Sequence, residues 1–173
     1  MGCDIHSHIE VREGGKWLEK TNCLPPDSYS PEKPRSEPFD WRDYSIFSFL
    51  AWVRNYDHCE PISEPRGVPD DMSPWVKESY ESWDSDGHSH SWLSLKELLD
   101  FDYDKTFWNR RVTKNNNWAS LAEEWEWKVL SYRDNLMWWY FNELDAMGTL
   151  WNPETISSVF WFANDKHMKY THD

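Results

Sequence analysis

The sequence predicts an α+β domain, in which a small antiparallel sheet (an N-terminal hairpin plus a late C-terminal strand) has helices packed on one side. Residues 3–12 alternate strictly between apolar and polar side chains, which is the period of a half-buried strand. Apolar residues recur at helical spacing in 44–54, whereas 156–163 is rich in β-branched and aromatic residues. At 173 residues the chain has the length of one domain, spanning 1–173.

The first strand is expected to continue into a hairpin. Gly14 and Gly15 supply the turn, and 16–20 forms the returning strand. A Pro- and Ser-rich loop follows over 22–43. A loop of this length inside a domain is either functional or mobile.

Capping residues mark the starts of the first two helices. Asp43 or Ser45 caps the helix over 44–54. Ser73 precedes Pro74, and a capping hydroxyl followed by proline at the first helical position predicts the second helix.

The second half of the chain combines a polar loop with further helices. Residues 84–91 are expected to form the loop, and Ser94 with Glu97 makes a capping box that begins a short helix. The longest helical signal covers 119–146, and Gly148 is expected to end that helix in the left-handed conformation. The strand at 156–163 is expected to pair beside the first strand.

Composition excludes several classes of partner. Lys and Arg total 18 against 31 Asp and Glu, a net charge of −13, which disfavours extended nucleic-acid binding and anionic membranes. No apolar stretch is long enough for a bilayer span, and the first residues lack the pattern of a signal peptide. Three cysteines at no metal-finger spacing fit a reducing compartment. A cytoplasmic protein is therefore expected.

Two clusters of aspartate and histidine predict a metal site. Same-face residues on a strand stand about 6.5–7 Å apart, so neighbours in Asp4-x-His6-x-His8 can converge on one ion. Imidazole and carboxylate suit Zn²⁺, Mn²⁺ or Fe²⁺, with Mg²⁺ also possible. If the loop at 84–91 folds over the strand, the ligands are Asp4, His6, His88 and His90. The structural alternative is a solvated face or a polar hydrogen-bond network.

The remaining candidates would act on a substrate at this metal. A metal-bound water attacks a phosphoryl group, and His8 or Asp86 would carry a proton or add a ligand. Arginine suits phosphate because its guanidinium is a planar fork, and an indole ring can stack on a base. The predicted substrate-binding residues are Arg54, Asn55, Arg66 and Trp92.

Several motifs resemble a family of small, largely uncharacterised tailed-phage proteins. They are Met1-Gly2-Cys3-Asp4-Ile5-His6, Arg54-Asn55, Pro65-Arg66-Gly67 and Asp86-Gly87-His88-Ser89-His90-Ser91. The resemblance implies a viral protein in bacterial cytoplasm, where small phage proteins often counter nucleotide-signalled host defence. Asp-x-His and Gly-His-Ser-His are also similar to pieces of calcineurin-type metallophosphoesterases. That family's intervening motifs are absent, so the analogy concerns chemistry and not fold.

Two functions follow from these features. The first is a phage-encoded, metal-dependent hydrolase, a phosphodiesterase acting on a nucleotide or nucleotide-type defence signal. The alternative is a non-catalytic anti-defence protein that sequesters a nucleotide signal or blocks a host protein, favoured by 14 Trp and the acidic excess. A virion assembly component is a third possibility that no particular motif supports.

Overall fold

The computed structural model of the chain describes residues 3–28, 31–39, 43–83, 87–111, 123–151 and 157–165, with 3–5 and 157–165 described by their backbone. Within these residues the elements follow the order β1 (Cys3–Glu13), β2 (Lys16–Lys20), α1 (Tyr44–Ala51), α2 (Pro74–Trp83), β3 (Gly87–Ser94), α3 (Leu95–Asp100), β4 (Thr106–Asn109), β5 (Lys128–Ser131), α4 (Tyr132–Leu150) and β6 (Ser157–Asp165). This mixture of helices and small antiparallel sheets confirms the predicted α+β class.

The main sheet has the strand order β2-β1-β6-β3, and every neighbouring pair is antiparallel. Gly14 and Gly15 have φ of 58° and 77°, as the predicted hairpin turn requires. The late strand pairs beside the first one as predicted, with Val159 opposite both Ile9 and Leu93. Because β6 lies between them, β1 and β3 run parallel to each other about 10 Å apart.

One face of the sheet packs against α1, α3 and α4 to form the main core. Ile9 of β1 and Leu93 of β3 both lie in it. The helices contribute the fully buried side chains Ile46, Phe49, Leu50, Leu98, Leu136 and Tyr140. The apolar half of the period-two pattern in β1 therefore faces the helices, as the sequence indicated.

The opposite face of the sheet, which carries the polar half of the pattern, is covered by α2. Val76 of α2 is fully buried there and packs with Trp75, Trp83 and Trp92. Ser73 caps this helix through a hydrogen bond from the Val76 amide to its hydroxyl, 3.4 Å long. A second, smaller apolar cluster thus lies across the sheet from the main core.

The polar loop predicted over 84–91 is wrong for residues 87–91. Gly87–Ser94 is strand β3, paired with β6 through a register irregularity between His88 and Ser91. Serine and histidine are weak strand formers. The backbone of β6 nevertheless offers hydrogen-bond partners to β3, and α2 covers side chains that would otherwise be exposed. Tertiary pairing therefore outweighs local propensity. Asp84, Ser85 and Asp86 lie outside the described residues.

The long helix predicted over 119–146 is also wrong in its bounds. Lys128–Ser131 is strand β5, paired with β4, and α4 begins only at Tyr132, where the Ser131 hydroxyl accepts a hydrogen bond from the Asp134 amide. The helix continues through Gly148 to Leu150. A Cβ at Gly148 would lie 3.6 Å from Leu99 of α3, so this glycine lies at a contact between helices.

Three smaller observations complete the fold. Helix α1 is shorter than predicted, because Trp52 adopts the left-handed conformation with φ of 59° and ends it. Within the long loop, Leu24 and Arg35 form a backbone bridge through hydrogen bonds of 2.9 and 3.0 Å. Among the described residues, no helix combines the length and apolarity needed to cross a membrane.

Candidate functional site

Three histidines of the predicted site, His6, His8 and His90, lie against the aromatic rings of α2. His6 and Trp83 have ring centroids 4.4 Å apart, and the rings of His8 and Trp75 are 4.5 Å apart in an edge-on arrangement. From β3, His90 lies 5.1 Å from the ring of Tyr80. We refer to this layer of imidazoles and aromatic rings as the His–aromatic layer; it joins α2 to the sheet.

Burial disfavours the charged form of two imidazoles of this layer, those of His8 and His90. It lowers the pKa of His8 to about 4, against a smaller opposing effect of the Glu37 carboxylate. The pKa of His90 is also lowered, first by burial and then by the nearby His88. Neutral imidazole is the form that ligates metals, and it is also the form tolerated beside buried aromatic rings.

A buried carboxylate lies at the start of α2. Glu10 of β1 accepts a hydrogen bond from the Ser73 amide at 2.6 Å, and its pKa is raised because burial disfavours its charge. Glu10 thereby satisfies an N–H at the N-terminus of the helix. The polar face of β1 therefore helps to hold α2 against the sheet.

The strand register separates two of the predicted metal ligands. His6 is opposite Phe162, whereas His88 is opposite Ala163, which pairs in turn with Ile5. Successive residues of a strand point to opposite faces, so His88 has a register position on the face opposite to His6.

His6 and His8 of β1 and His90 of β3 therefore each lie against α2, whereas the register places His88 on the other face. The side chain of Asp4 and all of Asp86 lie outside what the structure describes. Among the side chains that it does describe, no three of histidine, cysteine, aspartate and glutamate form a group that could hold a metal ion.

Two predicted substrate-binding residues, Arg66 and Trp92, do lie together. The Arg66 guanidinium stands 4.7 Å above the Trp92 ring and donates to both carboxylate oxygens of Glu97, at 3.0 and 2.5 Å. This pairing, with the capping contacts of Ser94, lowers the pKa of Glu97 to about 2. Arg66 thus links the loop before α2 to the N-terminus of α3.

Arg54 and Asn55 lie elsewhere, in the turn that follows α1. Asn55 donates to the Cys59 carbonyl at 2.8 Å and accepts from the Cys59 amide at 3.2 Å, so its side chain closes the turn. Arg54 has a positive φ of 52°, and its guanidinium lies 3.5 Å from the Tyr56 hydroxyl.

A cleft that the sequence did not predict lies between the start of α1, the paired strands β4 and β5, and the start of α4. Its volume is about 600 Å³, within the usual range for small-molecule sites. The lining residues are Asp43, Tyr44, Ser45, Asn109, Arg111, Lys128, Leu130, Asp134, Asn135 and Met137. We call it the Arg111 cleft.

A buried hydrogen-bond network holds Arg111 in this cleft. Its Nε donates to Asp57 Oδ1 at 3.0 Å and its Nη2 to the Ser45 hydroxyl at 2.9 Å. The other Asp57 oxygen accepts from Asn135 at 2.9 Å, and Asn109 donates to Asn135 at 3.0 Å. Because Asp57 is almost fully buried, the guanidinium is fixed in one orientation before any ligand arrives.

The other lining residues of the Arg111 cleft include a charged side chain, Asp43, and a strained backbone position, Met137. Asp43 caps α1 and accepts from the Trp139 indole N–H at 3.2 Å, and burial raises its pKa. Met137 has φ of 70° and ψ of 168°, a backbone conformation that residues other than glycine rarely adopt, and it interrupts α4. Backbone strain of this kind is concentrated at functional sites.

Sequence reasoning missed the Arg111 cleft because it treated β5 as part of a helix. Without the pairing of β4 and β5, nothing brings Asn109 and Arg111 to the start of α4. A usable signal was the pair Arg110-Arg111 in a chain with few cations.

The fold and the cleft define a small α+β protein with a pre-organised, ligand-sized site. Comparison with known protein families, curated proteins and solved structures finds no match. The function is therefore argued from the site itself.

Proposed function

We propose that this protein binds a nucleotide-type ligand in the Arg111 cleft and sequesters it without converting it. The observation that carries the proposal is the Arg111 guanidinium, fixed by Asp57 and Ser45 in a cleft of about 600 Å³. In a chain of net charge −13, a bound anion needs local cations held in place. The resemblance to phage proteins suggests that the ligand is a host defence signal.

The cleft offers partners for each part of such a ligand. Arg111 and the exposed Lys128 would hold phosphate oxygens. The amides of Asn109 and Asn135 can donate to or accept from sugar and base. The ring of Tyr44 lines the cleft and offers a face on which a base can stack.

Calorimetric titration with a panel of linear and cyclic nucleotides tests the proposal. We expect at least one member to bind, and Arg111→Lys to weaken that binding by about tenfold, because an ammonium cannot keep the contacts to Asp57 and Ser45 and donate to a phosphate as well. Lys128→Ala, an exposed change that spares the buried network, should also weaken binding. Arg133→Lys is the matched control, since its guanidinium pairs with Asp104 at the surface.

The fate of the ligand separates sequestration from catalysis. After incubation and denaturation, chromatography should recover the nucleotide intact. Recovery of a hydrolysed product would overturn sequestration. Equally strong binding in the Arg111→Lys variant would rule out the Arg111 cleft as the binding site.

A metal-dependent hydrolase is the second candidate, and the His–aromatic layer is the observation that favours it. His6, His8 and His90 present imidazoles toward α2, and the predicted ligand Asp4 belongs to the same strand as His6. A divalent ion held there would activate a water for attack on a phosphodiester.

Elemental analysis of untagged protein dialysed against Zn²⁺ or Mn²⁺ tests this second candidate. One ion per chain that is lost in both His6→Ala and His90→Ala would support a metal site in the His–aromatic layer. His58→Ala is the control, because His58 is exposed and contacts Arg110 instead. Equal metal content in all variants would rule out the proposed metal site.

A further inference from the structure

A second cleft lies beside α4, between that helix and the loop 25–28. Its volume is about 350 Å³, large enough for one small ring. Trp138 and Asn142 line it from the helix, and Pro25 and Pro26 line it from the loop. We call it the Trp138 cleft; it is independent of the Arg111 cleft and of the proposed function.

A buried carboxylate among the lining residues is incompletely hydrogen-bonded. The Glu143 side chain is only 9% exposed, and its Oε1 accepts from Arg35 Nη2. No described residue donates to its Oε2. Buried acceptors in proteins nearly always have a donor, so an acceptor of this kind beside a cleft favours a ligand that supplies one.

Arg35 determines what kind of donor the Trp138 cleft accepts. Its Nε donates to the Pro25 carbonyl at 2.8 Å, which fixes the guanidinium between the loop and Glu143. The positive charge of Arg35 already compensates the negative charge of Glu143. The cleft therefore offers acceptors without demanding a cation, and this favours neutral O–H or N–H donors.

The walls of the Trp138 cleft add a flat apolar surface. The Trp138 side chain is 69% exposed although it is large and apolar, and Pro25 and Pro26 are exposed as well. Exposed tryptophan beside a polar pocket is typical of a binding surface, because one side chain offers both an apolar face and adjacent polar contacts. Asn142, also exposed, can both donate and accept.

We propose that the Trp138 cleft binds a neutral saccharide ring. Such a ring has an apolar face of C–H groups, which would lie on the electron-rich face of Trp138. Its hydroxyl groups would donate toward Glu143 and exchange hydrogen bonds with Asn142.

Saturation-transfer NMR and calorimetry with glucose, N-acetylglucosamine and methyl ribofuranoside test the saccharide site. Binding in the millimolar range is expected for at least one of them, since few atoms make contact. Trp138→Ala should weaken that binding by about tenfold, in line with the loss of one stacked ring. Trp125→Ala is the matched control, because Trp125 is 82% exposed and lines neither cleft.

A second variant and a cationic probe make the outcome decisive. Asn142→Leu alters an exposed side chain, so it should leave the fold intact while weakening saccharide binding several-fold. Choline, tested at low and high salt, probes the cationic alternative. Failure of all three saccharides to bind, binding of choline alone, or equal binding in the Trp138→Ala variant would each overturn the proposal.

Discussion

At the scale of single residues, His8 is a side chain that belongs to the polar half of a strand pattern and is nevertheless buried. The side chain is 3% exposed and packs edge-on against Trp75, although the alternation of β1 assigned it to the polar face. The sequence cannot distinguish a solvated face from one covered by a second layer, because both have the same period of two.

The burial of His8 predicts that stability falls in mild acid. Its pKa is about 4 in the folded chain against 6.5 for an ordinary histidine, so the unfolded chain binds more protons between these values. The stabilisation is complete above pH 6.5 and declines as the pH falls toward 4. Between pH 7.5 and pH 5 the contribution lost is about 2 kcal/mol.

Urea unfolding of the wild type and of His8→Phe at these two pH values measures the effect. Phenylalanine keeps a ring against Trp75 but does not titrate, so its pH dependence should be smaller by about 2 kcal/mol. Other titrating groups, including His90 and Glu10, contribute equally to both proteins and cancel. An identical pH dependence in the two proteins would show that His8 titrates normally.

The site residues that the sequence could not assign are those that depend on contacts between distant parts of the chain. The pairing of Trp92 with Arg66 and the buried role of His8 arise from contacts between distant parts of the chain, so residue type alone could not assign them. The Arg111 cleft depends on an aspartate, two asparagines and a serine from four different segments. No single stretch of sequence contains that network.

At the scale of elements, α2 is attached to the sheet less firmly than the other long helices. Val76 is the one fully buried apolar side chain that the described part of α2 contributes, whereas α4 buries Leu136, Tyr140, Leu144 and Met147. Elements with few buried apolar contacts open at lower free energy than the global core. We therefore expect α2 to open before α4.

Hydrogen exchange followed by mass spectrometry tests the order of opening. Peptides from 74–83 should exchange faster than peptides from 132–150. Val76→Ala should accelerate exchange in α2 and lower its local stability by about 2 kcal/mol, a typical cost for truncating a buried aliphatic side chain. Lys77→Ala is the exposed control on the same helix. Simultaneous exchange of both helices would show that α2 belongs to the main cooperative unit.

Element prediction succeeded where the signal was local. The first hairpin, the caps of α1 and α2 and the capping box at Ser94 all depend on residues within a few positions of one another. It failed for β3 and β5, whose pairing partners are distant in sequence. Short strands obtain their hydrogen bonds from those partners, so local propensity carries little information about them.

At the scale of the whole molecule, β6 connects the main sheet. It is the central strand between β1 and β3, yet it is the last described element of the chain. Removing it would leave the facing edges of both neighbours without backbone partners and would separate the β1–β2 hairpin from β3.

A chain truncated after residue 151 is therefore expected not to reach the native fold. Circular dichroism should show loss of strand signal, and the amide NMR spectrum should lose its dispersion. A chain truncated after residue 166, which retains β6, is the matched control and should keep the native spectrum. A dispersed, cooperatively unfolding spectrum from the shorter chain would show that β6 is dispensable.

The sequence by itself determined the α+β class, the N-terminal hairpin, the late strand that pairs beside it and the starts of α1, α2 and α3, because these follow from periodicity, turn residues and caps. Only the tertiary structure decided that α2 covers the polar face of β1, that β6 separates β1 from β3, and that Arg111 faces a cleft. Each of these features depends on contacts between segments far apart in the chain. Such contacts are selected by the packing of the whole molecule, which no local pattern encodes.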